Sequence, residues 1–269
     1  MSRERPWLSI ITIHFHDLRG LARTASSLAA ISNSNGIEWV IVDGCGGEAL
    51  HELECVAALS SIGRVDVISE PDHGIYDAMN KGMRRAAGDH VWFLNAGDEA
   101  VGATVDYLNG HRPPACSGVM FGYVRVFGRD REGVRTPRGL KYLWHGMPTS
   151  HQAIIYPLQP LRLNALNYST LYAICGDYHF TLLASKYIEF GRNPYPLARF
   201  FVGGKSTTQW RPLLFEPWHI QRAHGSSGVV LRLASLLLRM ANTATLRGTY
   251  WISSLQVAGG RSAGNGTQA

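Results

Sequence analysis

"SEPDHGIYDAMNKGMRRAAGDHVWFLNAGDE", residues Ser69–Glu99, decides how the chain is read. The order is loop, helix, tight turn, buried strand. Ile75, Met79, Met83 and Ala86 share one face of a helix expected over Ile75–Ala87, and Gly88-Asp89 stops it. The apolar run Val91-Trp92-Phe93-Leu94 then predicts a strand over His90–Leu94. Directly behind it stand Asn95, Gly97, Asp98 and Glu99. A carboxylate at the tip of a buried strand is costly unless something positive meets it there.

Upstream, Leu8–Phe15 (LSIITIHF) is a β-branched apolar run suited to a central parallel strand. A helix is expected over Leu18–Ile31, a second strand over Glu38–Asp43 closed by Gly44, Gly46 and Gly47, and a helix over Glu48–Leu59. Val65–Ser69 reads as a third, short strand. Strand and helix alternating at this spacing predict a parallel sheet with right-handed crossovers. Ligands of such sheets sit beyond the carboxyl ends of the strands, where His14–Asp17, Asp43 and Asn95–Asp98 converge.

Downstream the pattern loosens. Val119–Phe127 alternates like a strand, Arg129–Arg138 reads as a charged, exposed loop, and Ser150–Tyr156 reads as a strand opening on His151-Gln152. Within Ala173–Ser185 a helix is expected to begin near Asp177. Phe201–Ser206 reads as a strand running into a glycine pair, and Val229–Met240 as an apolar helix carrying Arg232 and Arg239. Gly203-Gly204-Lys205-Ser206 lacks the GxxxxGK[ST] spacing, so a P-loop is rejected. The last stretch, Gly259–Ala269, is small and polar and is expected to be disordered.

With 45% hydrophobic and 17% charged residues among 269, the chain is globular. The net charge of +6 invites a nucleic-acid reading. The basic residues are scattered, however, and no aromatic-interleaved signature accompanies them, so none is expected. A mildly basic surface remains, or attraction to anionic lipid or a phosphorylated substrate. Cys45, Cys55, Cys116 and Cys175 form no CxxC pair and read as reduced thiols of a cytosolic protein. The apolar stretch Trp7–Ile13 is too short for a secretory signal, and no run reaches the ~18–20 residues of a membrane span.

The run Ser69-Glu70-Pro71-Asp72-x-Gly74-Ile75-Tyr76-Asp77-Ala78-Met79-Asn80-Lys81-Gly82, then Gly88-Asp89 and Phe93-Leu94-Asn95-Ala96-Gly97-Asp98, resembles family 2 glycosyltransferases. The branch most like it assembles bacterial surface polysaccharides and glycolipids. Val42-Asp43-Gly44, His151-Gln152 and Gly176-Asp177 match further landmarks in order, over roughly residues 7 to 205. The resemblance implies the GT-A fold, a Rossmann-like, mostly parallel mixed sheet flanked by helices. It also implies a nucleotide-diphosphate sugar donor, a divalent metal and inverting chemistry. The expected division is a GT-A domain over residues 1–210, with a nucleotide-binding half (about 7–105) and an acceptor half (about 106–210). A helical extension over 211–258 and a tail over 259–269 would follow.

The resemblance also distributes roles. His14, Asp43, Asp72, Asp77, Asn80, Lys81 and Asn95 are the donor-binding candidates. Asp43 either accepts from a base imide or ribose hydroxyl or caps the next helix. Lys81 either meets the diphosphate or forms a helical ion pair with Asp77; Asp72 and Asp77 either hold donor hydroxyls or position Lys81. Asp98 is the expected ligand of Mg²⁺ or Mn²⁺, with Asn95 offering a carbonyl oxygen, although the family's Asp-x-Asp is here Asn95-Ala96-Gly97. Asp177 stands where the family carries its catalytic carboxylate, with a helix cap as the alternative and His179 as a weaker rival for the base. His151 and Gln152 are expected to line the sugar or acceptor pocket. Val229–Met240 either packs on the domain or lies on an anionic leaflet. The leading expectation is a cytosolic, peripherally membrane-bound enzyme acting on a glycan or lipid-linked acceptor. Its rival is a non-catalytic nucleotide-sugar-binding or scaffold relative. Nucleotidyltransfer to a sugar phosphate is a third option, without the glycine-rich N-terminal triphosphate loop it would need.

Overall fold

Seven consecutive buried residues build each of the first two strands, β1 (Leu8–His14) and β2 (Ile37–Asp43), so both lie deep in one sheet. The computed structural model describes residues 5–47, 50–128, 131–203, 209–224 and 227–242. Alternation along the strands feeds two cores. Ile10, Trp39 and Ile41 pack against helices α1 (Leu18–Leu28), α2 (Leu50–Ala57) and α4 (Gly102–Gly110). Ile11, Ile13, Val40 and Val42 face α3 (Ile75–Arg85), α5 (Leu158–Leu163) and α6 (Gly176–Ala184) on the other side. Each large aliphatic side chain so buried contributes about 1.5–3 kcal/mol.

β3 (Val65–Ser69), β2, β1 and β4 (His90–Phe93) run parallel in that order. The sheet then turns mixed. β8 (Ile154–Pro157) lies antiparallel between β4 and β6 (Gly118–Phe127), and β9 (Phe190–Phe201) runs parallel to β6. The two-residue β5 (Glu99–Ala100) pairs antiparallel with β9, and β7 (Arg131–Arg135) with β6. A seventh helix, α7 (Trp210–Ala223), packs near α6, and residues 229–242 form an eighth, α8. No helix among the described residues is long and apolar enough to cross a membrane.

Three local expectations are corrected. The segment expected as a charged loop contains β7, an edge strand whose charges point to water. Ser150–Tyr156 is a 3-10 turn over His151–Ala153 followed by β8. The strand expected to start at Phe201 ends there, as the last residue of β9; residues 204–208 and the tail 259–269 lie outside the described residues.

Candidate active site

The parallel register places His14, Asp43 and Ser69 side by side at the ends of β1, β2 and β3. Asp43 is fully buried. Its Oδ1 accepts from His14 Nδ1 (3.0 Å) and the Cys45 amide (3.1 Å), and its Oδ2 from Ser69 Oγ (2.5 Å). Burial alone would raise this carboxyl. The hydrogen bonds from Ser69, Cys45 and His14 outweigh it and hold the group below the ordinary range. His14 Nε2 accepts from the Asp17 amide (3.1 Å), and Asp17 in turn caps α1 through Gly20 N–H (2.8 Å). Asp72 lies against this edge: a Cβ at Gly44 would land on its carboxylate, so a larger residue there would displace the Asp72 side chain.

Lys81 ties the loop before α3 to the helix. Its Nζ donates to Pro71 O (2.6 Å) and lies 3.1 Å from Glu70 and 3.8 Å from Asp77. The Asp77 carboxyl is lowered chiefly by the His73 amide it accepts (3.1 Å), and also by Lys81. Asn80 is spent elsewhere. Its amide clasps the backbone of Tyr168, donating to the carbonyl (2.9 Å) and accepting from the N–H (2.8 Å), and it is buried.

At the tip of β4 the acids are already engaged. Asp98 is 6% exposed; its Oδ2 accepts from Gln152 Nε2 (2.9 Å) and its Oδ1 from the Phe201 amide (3.0 Å). Desolvation pushes its carboxyl up to about 7 against those two donors. Glu99 pairs with Arg199 (3.0 Å) because β5 and β9 set them in register. Asn95 Oδ1 is buried without a partner among the described residues. Gly97 offers no side chain. One neutral oxygen beside two occupied acids does not fit a resident Mg²⁺ or Mn²⁺ as these residues stand. The donors that meet the buried acid are neutral amides, with the Arg23 guanidinium as a more distant contribution.

His151 and Gln152 also face inward. His151 stacks on Phe93 (5.2 Å), contacts Tyr168 OH (3.2 Å), and burial lowers its pKa to about 3. Gln152 holds Asp98 on one side and accepts from Ser150 Oγ (2.7 Å) on the other.

Asp177 stands in the first turn of α6. Cys175, not Asp177, is the cap residue; the Asp177 carboxylate accepts from the next amide, Tyr178 (2.7 Å). Burial pushes its carboxyl up to about 6, and the Glu216 charge adds to the rise. The segment before it is held from both sides. Tyr76 of α3 donates to Ile174 O, and its ring fills the space where a Cβ of Gly176 would stand. Glu216 of α7 accepts from three consecutive amides, Ala173 (2.7 Å), Ile174 (3.1 Å) and Cys175 (2.8 Å). Between the start of α3 and residues 170–173 lies a cavity of about 230 Å³ lined by His73, Tyr76, Asp77 and Tyr172.

Two contributors escape a sequence reading. Arg23 reaches Gly97 O (3.3 Å) and lies over the Phe201 ring (4.6 Å). Glu216 acts on residues 41 to 43 positions away. Neither sits in a motif, and only the fold brings them there. His179 makes a ring–ring hydrogen bond to His224 (2.9 Å).

Residues 9–143 match the family described as Glycosyl transferase family 2. The uncharacterized glycosyltransferase Rv1514c of Mycobacterium tuberculosis is 35% identical over 192 residues, spanning 68% of this chain and 71% of its own. Among solved structures, S. aureus TarS 1-349 in complex with UDP-GlcNAc aligns with a TM-score of 0.61 at 16% identity, over 93% of this chain and 72% of its own. Mannosyltransferase PcManGT from Pyrobaculum calidifontis, in complex with GDP-Man and Mn²⁺, aligns with a TM-score of 0.62 at 12% identity, over 98% and 77%. At such identities the structural likeness speaks for the fold alone: a mostly parallel GT-A sheet flanked by helices.

Proposed function

The chain belongs to glycosyl transferase family 2 and is a glycosyltransferase, and from that premise we propose that it moves one sugar, with inversion, from a nucleotide-diphosphate sugar to a lipid-linked glycan or glycolipid. Asp177 takes the proton of the acceptor hydroxyl. The freed oxygen attacks the anomeric carbon from the side opposite the diphosphate, the glycosidic bond forms, and the nucleoside diphosphate leaves with the electron pair of the broken bond. The observation that carries this reading is the carboxyl of Asp177, pushed up to about 6 at a site braced by Tyr76 and Glu216. A base with that pKa is largely ionised at neutral pH and still basic enough to help.

The donor is assigned to the strand-end side of the sheet. Asp43, His14 and Asn95 frame the base and ribose, Asp77 offers an acceptor to the transferred sugar in the cavity beside Tyr76, and Asp72 offers one from the strand-end edge beside Gly44. Lys81, braced by Asp77, supplies positive charge toward the diphosphate. Asn80, His151 and Gln152 act by holding Tyr168 and Asp98 in place. No step is routed through a metal, because the residues at the tip of β4 do not fit one as they stand.

Thermal-shift titration with UDP, GDP and dTDP sugars, followed by magnetic-resonance analysis of the product anomer with and without EDTA, tests the reading. Expected are a shift with one nucleotide class and inversion; loss of turnover with EDTA would mean that the donor diphosphate brings a divalent metal with it. A protein that binds a nucleotide sugar yet never releases the diphosphate would be the scaffold relative instead.

A further inference from the structure

α8 is turned the opposite way from an ordinary surface helix. Its polar side faces the protein. Ser235 is fully buried and donates to His145 O (3.2 Å), Arg239 Nη1 donates to the same carbonyl (2.9 Å), and Arg232 lies over the Trp218 ring (5.5 Å). Its apolar side faces out: Val230 is 78% exposed, Leu237 66%, Leu233 49% and Met240 50%. Of the two readings the sequence left open for this helix, packing on the domain holds for the arginine side, which the fold turns inward. Water-facing leucines on a helix that buries its arginines are not explained by folding, and a contiguous apolar patch with a polar rim marks an interaction surface.

The rim is basic. His145, on which α8 leans, ends a segment that carries exposed Arg138 and Lys141 beside the Tyr142 ring (5.6 and 5.5 Å), and α7 ends in exposed Arg222. In the described residues 131–147 and 209–242 the carboxylates are Glu132 and Glu216. Glu132 faces Arg199 and Glu216 the 173–175 amides, and these two acids stand against eight Lys and Arg in the same segments, so the excess charge there is positive.

We propose that α8 docks this protein on an anionic lipid bilayer. Val230, Leu233 and Leu237 enter the boundary between headgroups and acyl chains, and Arg138, Lys141 and Arg222 meet lipid phosphates. An apolar face beside segments of net positive charge suits that occupant better than it suits a second copy of itself, whose like charge would be opposed. The docked helix is wired to the proposed base. Buried Gln221 Nε2 is within hydrogen-bond reach of Ser235 Oγ (3.2 Å), Trp144 O (2.7 Å) and Tyr178 OH (3.3 Å), and Tyr178 follows Asp177. A lipid-linked acceptor would thus be presented on the side of the molecule that carries Asp177. That last step rests on the functional reading above; the docking itself does not.

The test uses the full chain and sedimentation with phosphatidylcholine vesicles, with and without phosphatidylglycerol, at low and high salt. The wild type should pellet with the anionic vesicles and release as salt rises. Val230→Ser/Leu233→Ser/Leu237→Ser should weaken binding on the order of 10- to 100-fold, the loss of three partly buried apolar side chains. Arg138→Glu/Lys141→Glu should weaken it and flatten its salt dependence. The serine variant should leave thermal unfolding and nucleotide-sugar binding unchanged, since its side chains face water; the glutamate variant gives up exposed contacts with the Tyr142 ring and should leave nucleotide-sugar binding unchanged. Wild-type protein that ignores anionic vesicles at every ionic strength overturns the proposal, as does a serine variant that binds like wild type. A dimer abolished by the serines, without vesicle binding, assigns the face to a second copy. Vesicle binding that begins only after removal of residues 243–269 assigns it to the chain's own tail. Normal vesicle binding with no transfer to a lipid-linked acceptor would instead defeat the functional reading and leave the docking surface standing.

Discussion

Asp98→Asn isolates what the acid at the tip of β4 does. The folded carboxyl is pushed up to about 7, first by desolvation, against the hydrogen bonds from Phe201 and Gln152, while an aspartate in the unfolded chain has the ordinary value of 3.8. A raised folded value means that the fold favours the protonated form. The stability it confers is fully present below 3.8 and is lost as pH rises through about 7. Between about pH 5 and pH 8 the wild type should therefore lose about 2–3 kcal/mol through this one group, at 1.36 kcal/mol for each unit between pH 5 and the folded pKa. The variant amide still accepts from Phe201 and, with the Gln152 amide rotated, donates to it, but it has no charge to desolvate. Urea denaturation of both proteins at the two pH values reads the difference directly. The Asn variant should gain about 2–3 kcal/mol on wild type between the acid and alkaline measurements. A gain under about 0.5 kcal/mol would refute the reasoning. So would stabilisation of the wild type alone by Mn²⁺ at the higher pH, which would make Asp98 a metal ligand.

Asp177→Asn should lower turnover on the order of 10²–10⁴-fold while donor affinity by calorimetry holds, and wild-type kcat/KM should fall below about pH 6 as the carboxylate takes up its proton. Near-normal turnover would move the base elsewhere. Gly176→Ala sets a methyl into the Tyr76 ring and should cost about 1–3 kcal/mol by thermal unfolding; the same change made in a Tyr76→Ala background should cost less. Glu216→Gln removes a charge that raises the Asp177 carboxyl, so the acid limb of the pH–rate profile should move to lower pH. A limb that stays put while stability drops would leave Glu216 with a purely structural role.

The parallel half of the fold was readable because its strands are buried on both faces, and an unbroken run such as Leu8–His14 has few other uses. The mixed half was harder for physical reasons. β9 contains Gly191, Pro194 and Pro196 and reads as loop. The prolines are tolerated where its register with β6 shifts around Gly122, whose missing Cβ makes room for Pro194 O. The candidate site divides in the same manner. Asp177 stands at the helix start where its motif put it, and Tyr76 and Glu216 brace the segment before it. Asn80, His151 and Gln152 are polar residues in the same motifs, yet they are buried and spend their hydrogen bonds inside the protein. Sequence cannot separate the two outcomes, because a ligand-facing amide and a backbone-clasping one have the same formula.

The row of His14, Asp43 and Ser69 has a consequence for how the chain assembles. Each stands opposite the next across three parallel strands, and each depends on that alignment for its partner. Sliding β2 by a single residue would turn Asp43 to the other face and strand an ionised group among leucines and valines, at a penalty of several kcal/mol. The sheet's alignment is thus proofread by polar residues that add little to its burial energy. A misaligned intermediate carries its own handicap, and a chain that passes this check has built its strand-end edge in the same event.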